Sequence, residues 1–297
     1  MSFVLSFSFW WGISSFQQGM EQFFYAQITQ PFHDLAVVDI SARQKKQKPD
    51  IDAEAVVSLK LYKTGKTRLV MAKNINNALP IASLTKLMTA LIVMENAHLN
   101  DYDFSKATIV SKKAAGQYNV PVYGNLTTDQ TLTIEQLLKY MLYYSSNDAA
   151  FALAEVIGLD NFVAKMNEKA QDLGLKNTHF VNPTGLDPED LNIIPNYSTV
   201  NDLVKLSQYI LKNHGLILEF SLESGPYLSE NGALAIYVLD GQKIIGGKTG
   251  YTEEAGGCMI FVFSDENENY SINILLGAES PDTRIIEMQK LINWINS

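Results

Sequence analysis

A serine and a lysine, Ser83 and Lys86, lie three residues apart at the start of an apolar segment, within Pro-Ile-Ala-Ser-Leu-Thr-Lys-Leu-Met. On a helix, residues three apart share one face, so the lysine amine can reach the serine hydroxyl. A neutral amine at that distance can take the hydroxyl proton and make the serine a nucleophile. The same residues also fit a helix-capping serine followed by a solvated lysine. The choice between these interpretations depends on the rest of the chain.

Two further polar motifs follow. Residues 145–148 read Ser-Ser-Asn-Asp between two apolar segments, a pattern that by itself favours a helix N-cap supplied by Asn147 or Asp148. Farther on, Lys248 begins a Lys-Thr-Gly triplet with glycines on both sides, and such glycines in a strand usually indicate close approach of another backbone or a ligand. An earlier Lys-Thr-Gly at residues 63–65 is interpreted as a plain hairpin turn.

Composition limits the possible functions. The 297 residues are 46% hydrophobic and 19% charged, which is typical of a globular protein. The net charge of −9, with no basic cluster beyond residues 43–48, argues against nucleic-acid binding. One cysteine, Cys258, precludes an intrachain disulfide and a cysteine metal cluster, and the four histidines have no ligand spacing. No glycine-rich phosphate loop follows a strand. We therefore expect no metal and no cofactor.

The N-terminal segment is apolar over residues 3–16. A length of about 14 residues is short for a membrane-spanning helix, which needs ~20, and fits a signal peptide or signal anchor better. Two features depart from that pattern: the first positive charge is Arg43, and the cleavage candidate Ala26 is preceded by Phe24, where a small residue is expected. We assign residues 1–50 to an export or anchor segment plus linker, with a misplaced start or an apolar arm as the alternatives.

The remaining pattern predicts one α/β (α+β) domain over residues 51–297. A β-hairpin at 55–72 precedes a buried helix from Ser83 to Asn96, and C-terminal strands complete one antiparallel sheet flanked by helices. An all-helical subdomain at about 80–212 is inserted between the two β segments. The other predicted elements are helices at 137–144, 149–154, 159–173 and 203–211, strands at 234–239, 243–245, 257–263 and 270–276, and a closing helix at 282–295.

In this order, the three motifs resemble those of the serine penicillin-recognising enzymes. The segments around them, together with Phe-Val-Asn-Pro-Thr-Gly-Leu at 180–186, are similar to D-alanyl-D-alanine carboxypeptidases, the low-molecular-mass penicillin-binding proteins of the S11 peptidase type. The resemblance covers about residues 52–297. It implies a β-lactamase/transpeptidase-like fold, action on peptidoglycan stem peptides, inhibition by β-lactams, and an extracytoplasmic location at the periplasm or cell surface.

The resemblance also implies roles for the motif residues. Ser83 attacks the carbonyl between two D-alanines and forms an acyl-enzyme, and Lys86 acts as the base. For that role Lys86 has to be partly neutral, and burial together with the charge of Lys248 would lower its pKa. Ser145 relays a proton to the leaving amine, and Asn147 hydrogen-bonds Lys86 and the substrate amide.

The resemblance further implies which residues bind the substrate. Lys248 and Thr249 hold the terminal carboxylate, and Gly250 lets the substrate lie along the strand as an added β-strand. Backbone N–H groups of Ser83 and Tyr251 form the oxyanion hole.

Three alternative functions stay open at this point. A D,D-endopeptidase that cleaves peptide cross-links would carry the same motifs. A β-lactamase is disfavoured, because residues 175–186 lack the glutamate that class A enzymes use to activate water. A non-catalytic peptidoglycan-binding relative is disfavoured by the intact motif residues.

Arg284 matches the family as well, although a structural ion pair is its simpler interpretation. The chain ends directly after the closing helix, so any membrane attachment is expected at the N-terminus.

Overall fold

A five-stranded antiparallel sheet forms the centre of the protein. The computed structural model describes residues 47–99, 104–117, 124–222 and 242–297, so the N-terminal segment and the predicted strand at 234–239 lie outside the described residues. The strand order is β2-β1-β9-β8-β7, and the N-terminal hairpin therefore shares one sheet with the C-terminal strands, as predicted. The strands are β1 (Ala55–Leu61), β2 (Thr67–Lys73), β7 (Lys243–Thr252), β8 (Gly256–Ser264) and β9 (Tyr270–Ala278).

Helices cover both faces of this sheet. A helical block lies in the chain between β2 and β7 and packs on one face, and a C-terminal helix covers the other. Strand β8 shows the alternation: Ile260 and Val262 face the helical block, whereas Phe261 and Phe263 face the C-terminal helix. The helices are α1 (Thr85–Leu99), α2 (Ile134–Tyr143), α3 (Asn147–Ile157), α4 (Leu159–Asp172), α5 (Val200–Asn213), α6 (Leu216–Phe220) and α7 (Pro281–Asn296).

The central helix of the block is α1. Apolar residues cover all of its sides, from Leu87 to Met94, and all are buried. It begins directly after a short 3-10 turn, Ala82–Leu84, and ends at Leu99, about one turn beyond the predicted end. Because α1 is enclosed on all sides, its first turn has a fixed position relative to the sheet.

Short paired strands connect the loops of the helical block. They are β3 (Leu79–Pro80) with β6 (Tyr197–Ser198), and β4 (Ala107–Ile109) with β5 (Thr131–Thr133). The sequence pattern did not predict these pairs. A capping box starts α2, since Thr133 and Gln136 exchange side chain–backbone hydrogen bonds. None of the helices in the described ranges combines the length and apolar character needed to cross a membrane.

Candidate active site

The candidate nucleophile Ser83 lies in the 3-10 turn, and Lys86 lies in the first turn of α1. The amine of Lys86 is 2.8 Å from Ser83 Oγ, and the lysine side chain is fully buried. Ala82 has φ of 44°, a left-handed backbone conformation that costs energy for a residue with a side chain. The structure thus holds the serine on a strained turn within reach of a buried amine.

The turn is fixed from outside by the Asn-Pro-Thr-Gly loop. A Cβ atom built on Gly185 would lie 2.0 Å from the carbonyl oxygen of Ala82, so the two backbones are in direct contact. Only glycine permits that approach. Two residues before Gly185, the carbonyl of Pro183 accepts a hydrogen bond of 2.7 Å from the hydroxyl of Thr89 in α1. The loop is therefore attached both to the turn and to α1.

The amine of Lys86 has three hydrogen-bond partners. They are Ser83 Oγ, Asn147 Oδ1 at 2.6 Å and the carbonyl oxygen of Thr184 at 2.6 Å. Burial lowers the pKa of Lys86 well below its ordinary value, and the charge of Lys248 lowers it further. A lowered pKa is what a lysine needs to act as a general base near neutral pH.

The second motif brings a hydroxyl to the third motif. Lys248 Nζ on β7 donates to Ser145 Oγ at 2.9 Å and to the carbonyl of Thr249 at 2.9 Å. Ser145 has φ of 63°, so this residue also stands in the left-handed region. Burial, followed by the charge of Arg284, lowers the pKa of Lys248 to about 7.

The cap of α3 differs from the sequence prediction. Ser146 is the N-cap, and its hydroxyl accepts from the N–H of Ala149 at 3.1 Å. Asp148 instead accepts from the backbone N–H of Leu126 at 2.8 Å, which attaches the loop before β5 to the motif. With Ser146 as the cap, Asn147 occupies the first position of α3 and presents its side chain to Lys86.

Among the strands that the structure describes, β7 lies at the edge of the sheet, beside the nucleophile. It runs unbroken through the glycines that flank Lys248, whereas only residues 243–245 were predicted as strand. A Cβ atom on Gly250 would lie 2.9 Å from the backbone nitrogen of Ser83, so glycine allows the strand to pass close to the turn. Thr249 and Tyr251 flank that position, and Tyr251 is 46% exposed. All eight predicted site residues therefore lie in or beside one region, formed by the turn that carries Ser83, the start of α3 and strand β7.

The structure adds residues that the sequence analysis did not assign. Thr184 contributes a backbone carbonyl to Lys86, and Asp187 accepts a 2.9 Å hydrogen bond from Thr252 at the end of β7. Asn182 folds the loop on itself, with its Oδ1 accepting from the N–H groups of Thr184 and Gly185. The Asn-Pro-Thr-Gly turn signal marks this loop, but nothing in it indicates which carbonyl meets the lysine. Within the described residues, no group of three or more His, Cys, Asp or Glu could hold a metal ion.

Known proteins similar to this chain in sequence include D-alanyl-D-alanine carboxypeptidases and endopeptidases. A family model described as D-alanyl-D-alanine carboxypeptidase matches residues 42–280. D-alanyl-D-alanine carboxypeptidase DacF of Bacillus subtilis is 33% identical over 240 residues, 78% of this chain and 59% of the relative. A D-alanyl-D-alanine endopeptidase of Haemophilus influenzae is 33% identical over 214 residues, 66% of each. The chain thus spans about three fifths to two thirds of the length of these relatives.

Solved structures share the architecture. Penicillin-binding protein D2 of Listeria monocytogenes, in its ampicillin-bound form, superimposes with a TM-score of 0.71 at 27% identity. The match covers 84% of this chain and 100% of that chain. The cefotaxime-bound form of the same protein gives a TM-score of 0.70. The predicted fold class is therefore confirmed.

Proposed function

The chain belongs to the D-alanyl-D-alanine carboxypeptidase family of serine peptidases, S11, and from that premise we propose that it removes the terminal D-alanine of peptidoglycan stem peptides through an acyl-enzyme on Ser83. The observation that carries the proposal is the buried amine of Lys86, whose pKa is lowered and which lies 2.8 Å from Ser83 Oγ. β-Lactams would acylate the same serine.

Acylation begins with proton transfer from Ser83 to Lys86. The serine oxygen attacks the carbonyl carbon of the penultimate D-alanine, and the oxyanion accepts hydrogen bonds from the backbone N–H groups of Ser83 and Tyr251. One such donor is typically worth about 10²–10³ in rate. Ser145, held by Lys248 at 2.9 Å, passes to the leaving amine the proton that Lys86 took from Ser83, so the C–N bond breaks and Lys86 is neutral again. Water then attacks the ester while Lys86 accepts its proton, and Lys86 returns that proton to Ser83 as the ester bond breaks.

Substrate recognition involves the edge of β7. Lys248 and Thr249 bind the terminal carboxylate of the substrate, and the peptide pairs with the strand edge beside Gly250. Asn147, which accepts from Lys86 at 2.6 Å, also donates to the substrate amide. Supporting this arrangement, β7 is an edge strand within the described part of the sheet.

A D,D-endopeptidase is the second candidate function. The supporting observation is that the Haemophilus influenzae endopeptidase matches this chain at the same identity as the carboxypeptidase of Bacillus subtilis, 33%. The two reactions share the acylation step and differ in the leaving group. Products of a muramyl pentapeptide and of a cross-linked peptide dimer, identified by mass spectrometry, would decide between them.

We place the activity outside the cytoplasm, because peptidoglycan, the substrate of the family, lies there. The apolar N-terminal segment would export or anchor the protein, and fractionation of cells that express the full chain tests this. If the full chain is found in the membrane fraction and the chain without residues 1–46 is not, the segment is an anchor. If the deletion leaves the protein in the same fraction, the anchor is contradicted.

Labelling with a fluorescent penicillin tests the central proposal. The wild-type protein should form a covalent fluorescent adduct, and Ser83→Ala should abolish it. Ser105→Ala, a change in an exposed turn, is the matched control and should label like the wild type. No labelling of the wild type, or labelling that persists in Ser83→Ala, would overturn the assignment.

A further inference from the structure

A buried asparagine lies between the nucleophile helix and the Asn-Pro-Thr-Gly loop. Asn196 immediately precedes β6 and is 1% exposed. Its Nδ2 donates to Thr85 Oγ1 at 2.9 Å and to the carbonyl of Asn182 at 2.9 Å. Its Oδ1 accepts from the backbone N–H of Val181 at 2.6 Å. None of the three catalytic motifs includes this residue.

The backbone of Asn196 adds a further connection. Its carbonyl accepts from the N–H of Ile81 at 3.1 Å, one residue before the strained Ala82. The side chain and the backbone of one residue therefore hold the start of the nucleophile turn, the first turn of α1 and the loop. Buried amides with several partners fix geometry strongly, because each bond lost leaves a polar group unpaired.

The loop matters because Thr184 supplies a carbonyl oxygen to the base. A neutral amine has two N–H groups and one lone pair. Asn147 Oδ1 and the Thr184 carbonyl accept from the Lys86 amine at 2.6 Å each, so they occupy both N–H groups. The remaining position on the nitrogen faces Ser83 Oγ at 2.8 Å. The lone pair is thus directed at the hydroxyl proton only while both acceptors stay in place.

We propose that Asn196 is a positioning residue for acylation: it holds the Thr184 carbonyl against Lys86 and thereby directs the amine lone pair at Ser83. This inference rests on the proposed function, in which Ser83 is acylated. Asn196 touches neither the substrate nor the reacting atoms. Its effect belongs to the acylation step, whereas binding of the substrate carboxylate depends on Lys248 and Thr249.

Asn167 on α4 provides a matched control. It also holds the loop through its side-chain amide, donating to the carbonyl of Phe180 at 2.8 Å and accepting from the N–H of Phe180 at 2.9 Å. Phe180 is four residues before Thr184. Asn167→Ala therefore removes comparable hydrogen bonds from the same loop, but at a distance from the base.

The experiment separates the non-covalent dissociation constant of a penicillin from its acylation rate constant, for the folded fraction of each variant. Asn196→Ala should lower the acylation rate constant by about 10²-fold, as expected for a misplaced catalytic group, with the dissociation constant changed less than about twofold. Asn167→Ala should leave both constants near wild type. An unchanged rate constant in Asn196→Ala, or equal losses in both variants, would overturn the proposal.

Thr85→Val is the second variant, and it decides the question if Asn196→Ala does not fold. It keeps the shape of the threonine and removes only the acceptor for Asn196 Nδ2. A fall in the acylation rate constant of several-fold supports the proposal, and no change contradicts it. If penicillin fails to acylate the wild type, the proposed function itself is wrong, which is a different result from a normal rate constant in the variants.

Discussion

Arg284 on α7 donates a hydrogen bond of 2.7 Å from Nη1 to the carbonyl oxygen of Gly250 on β7. The guanidinium is buried. Two causes lower the pKa of Lys248 to about 7: the burial of Lys248 is the larger, and the positive charge of Arg284 is the second. By sequence alone, a structural ion pair is the simpler interpretation of this arginine. Its contact with the backbone of the proposed binding strand connects the C-terminal helix to the charge state of Lys248.

Replacement of Arg284 should shift the pH dependence of substrate binding. In the proposed function, protonated Lys248 binds the substrate carboxylate, so KM of the wild type should rise as the pH increases through about 7. Arg284→Gln removes a neighbouring positive charge, which raises the pKa of Lys248, and the rise in KM should begin at higher pH. KM for a D-Ala-D-Ala peptide across pH measures this. Arg68→Gln, at an exposed position on β2, should leave the profile unchanged, and a profile shifted in neither variant would count against the coupling.

Loss of the charge of Lys248 should raise the pKa of Lys86. Burial is the larger cause of the lowered pKa of Lys86 and Lys248 the second, so Lys248→Gln raises the pKa of Lys86 partway towards its ordinary value. Acylation by the proposed mechanism needs the neutral amine of Lys86. The rate constant for acylation by penicillin, measured across pH and expressed as a fraction of each protein's own maximum, should therefore reach its midpoint at a higher pH in Lys248→Gln than in the wild type. An unchanged or lower midpoint would contradict the coupling.

Gly185→Ala should damage acylation more than the matched change Gly174→Ala. Both glycines have positive φ, 84° and 64°, so alanine costs about 1 kcal/mol of backbone strain at either site. Only at Gly185 would the new Cβ atom lie 2.0 Å from Ala82 O; nothing lies within 4 Å at Gly174. We expect about a 10²-fold lower acylation rate for Gly185→Ala and a near-normal rate for Gly174→Ala. Thermal unfolding of both variants measures the shared strain, and equal acylation rates would refute the contact.

Glu95 should contribute acid-sensitive stability. It connects α1 to α4 through Lys169 at 2.6 Å and to α5 through the Tyr209 hydroxyl at 2.8 Å. Burial by itself raises the pKa of Glu95, but hydrogen bonds from His214, Lys169 and Tyr209 outweigh it and lower the pKa to about 2. A lowered native pKa gives stability that is present above about pH 4.5 and is lost as the pH falls towards 2.

Denaturant unfolding of Glu95→Gln measures this contribution. At neutral pH the variant should be less stable by on the order of 1 kcal/mol, and the difference from wild type should shrink as the pH falls. Glu135→Gln is the control, because Glu135 forms a more exposed pair with Lys139 and should change stability by a few tenths of a kcal/mol. A difference that is independent of pH would show that the carboxylate does not act through its charge.

The penicillin adduct should be long-lived. Residues 175–186 contain no glutamate, and the next carboxylate, Asp187, is engaged by the hydroxyl of Thr252 at 2.9 Å. The adduct on Ser83 should persist through a chase with unlabelled penicillin, as followed by intact-mass spectrometry. Asp187→Asn retains an oxygen that can accept from Thr252 and should not change the lifetime. Rapid loss of the adduct, or a lifetime prolonged in Asp187→Asn, would point to β-lactamase activity instead.

The sequence was sufficient to predict the fold class and to locate the three motifs that the structure brings together, because each motif is local. Ser83 and Lys86 are three apart, in the 3-10 turn and in the first turn of α1 that follows it. The glycines on both sides of Lys248 are themselves the signal of a close backbone approach. The elements missed were those defined by distant partners. Asn196 meets Thr85 across 111 positions, and Thr184 contributes a backbone carbonyl that any residue type possesses. Periodicity and propensity carry no information about such contacts.

The N-cap of α3 shows a different limit. Ser145, Ser146, Asn147 and Asp148 are all good capping residues, so propensity could not select among them. Tertiary contacts decide, since Asp148 is engaged by the N–H of Leu126 and Asn147 by Lys86. Four consecutive polar residues thereby take separate roles, and the left-handed backbone of Ser145 directs its hydroxyl towards Lys248.

The pairing of β1 with β9 has a consequence for how the protein folds. Ser58 on β1 donates to Asn273 on β9 across 215 positions, inside the buried sheet. In the described ranges, β7 and β8 connect to β1 and β2 through β9, so the hairpin of β1 and β2 cannot complete the sheet until nearly the whole chain has been synthesised. Contacts of such long sequence separation make folding slow. Ser83 and Lys248 therefore come together late in synthesis, and a nascent chain carries the complete Ser83–Lys86 pair before it has the proposed active site.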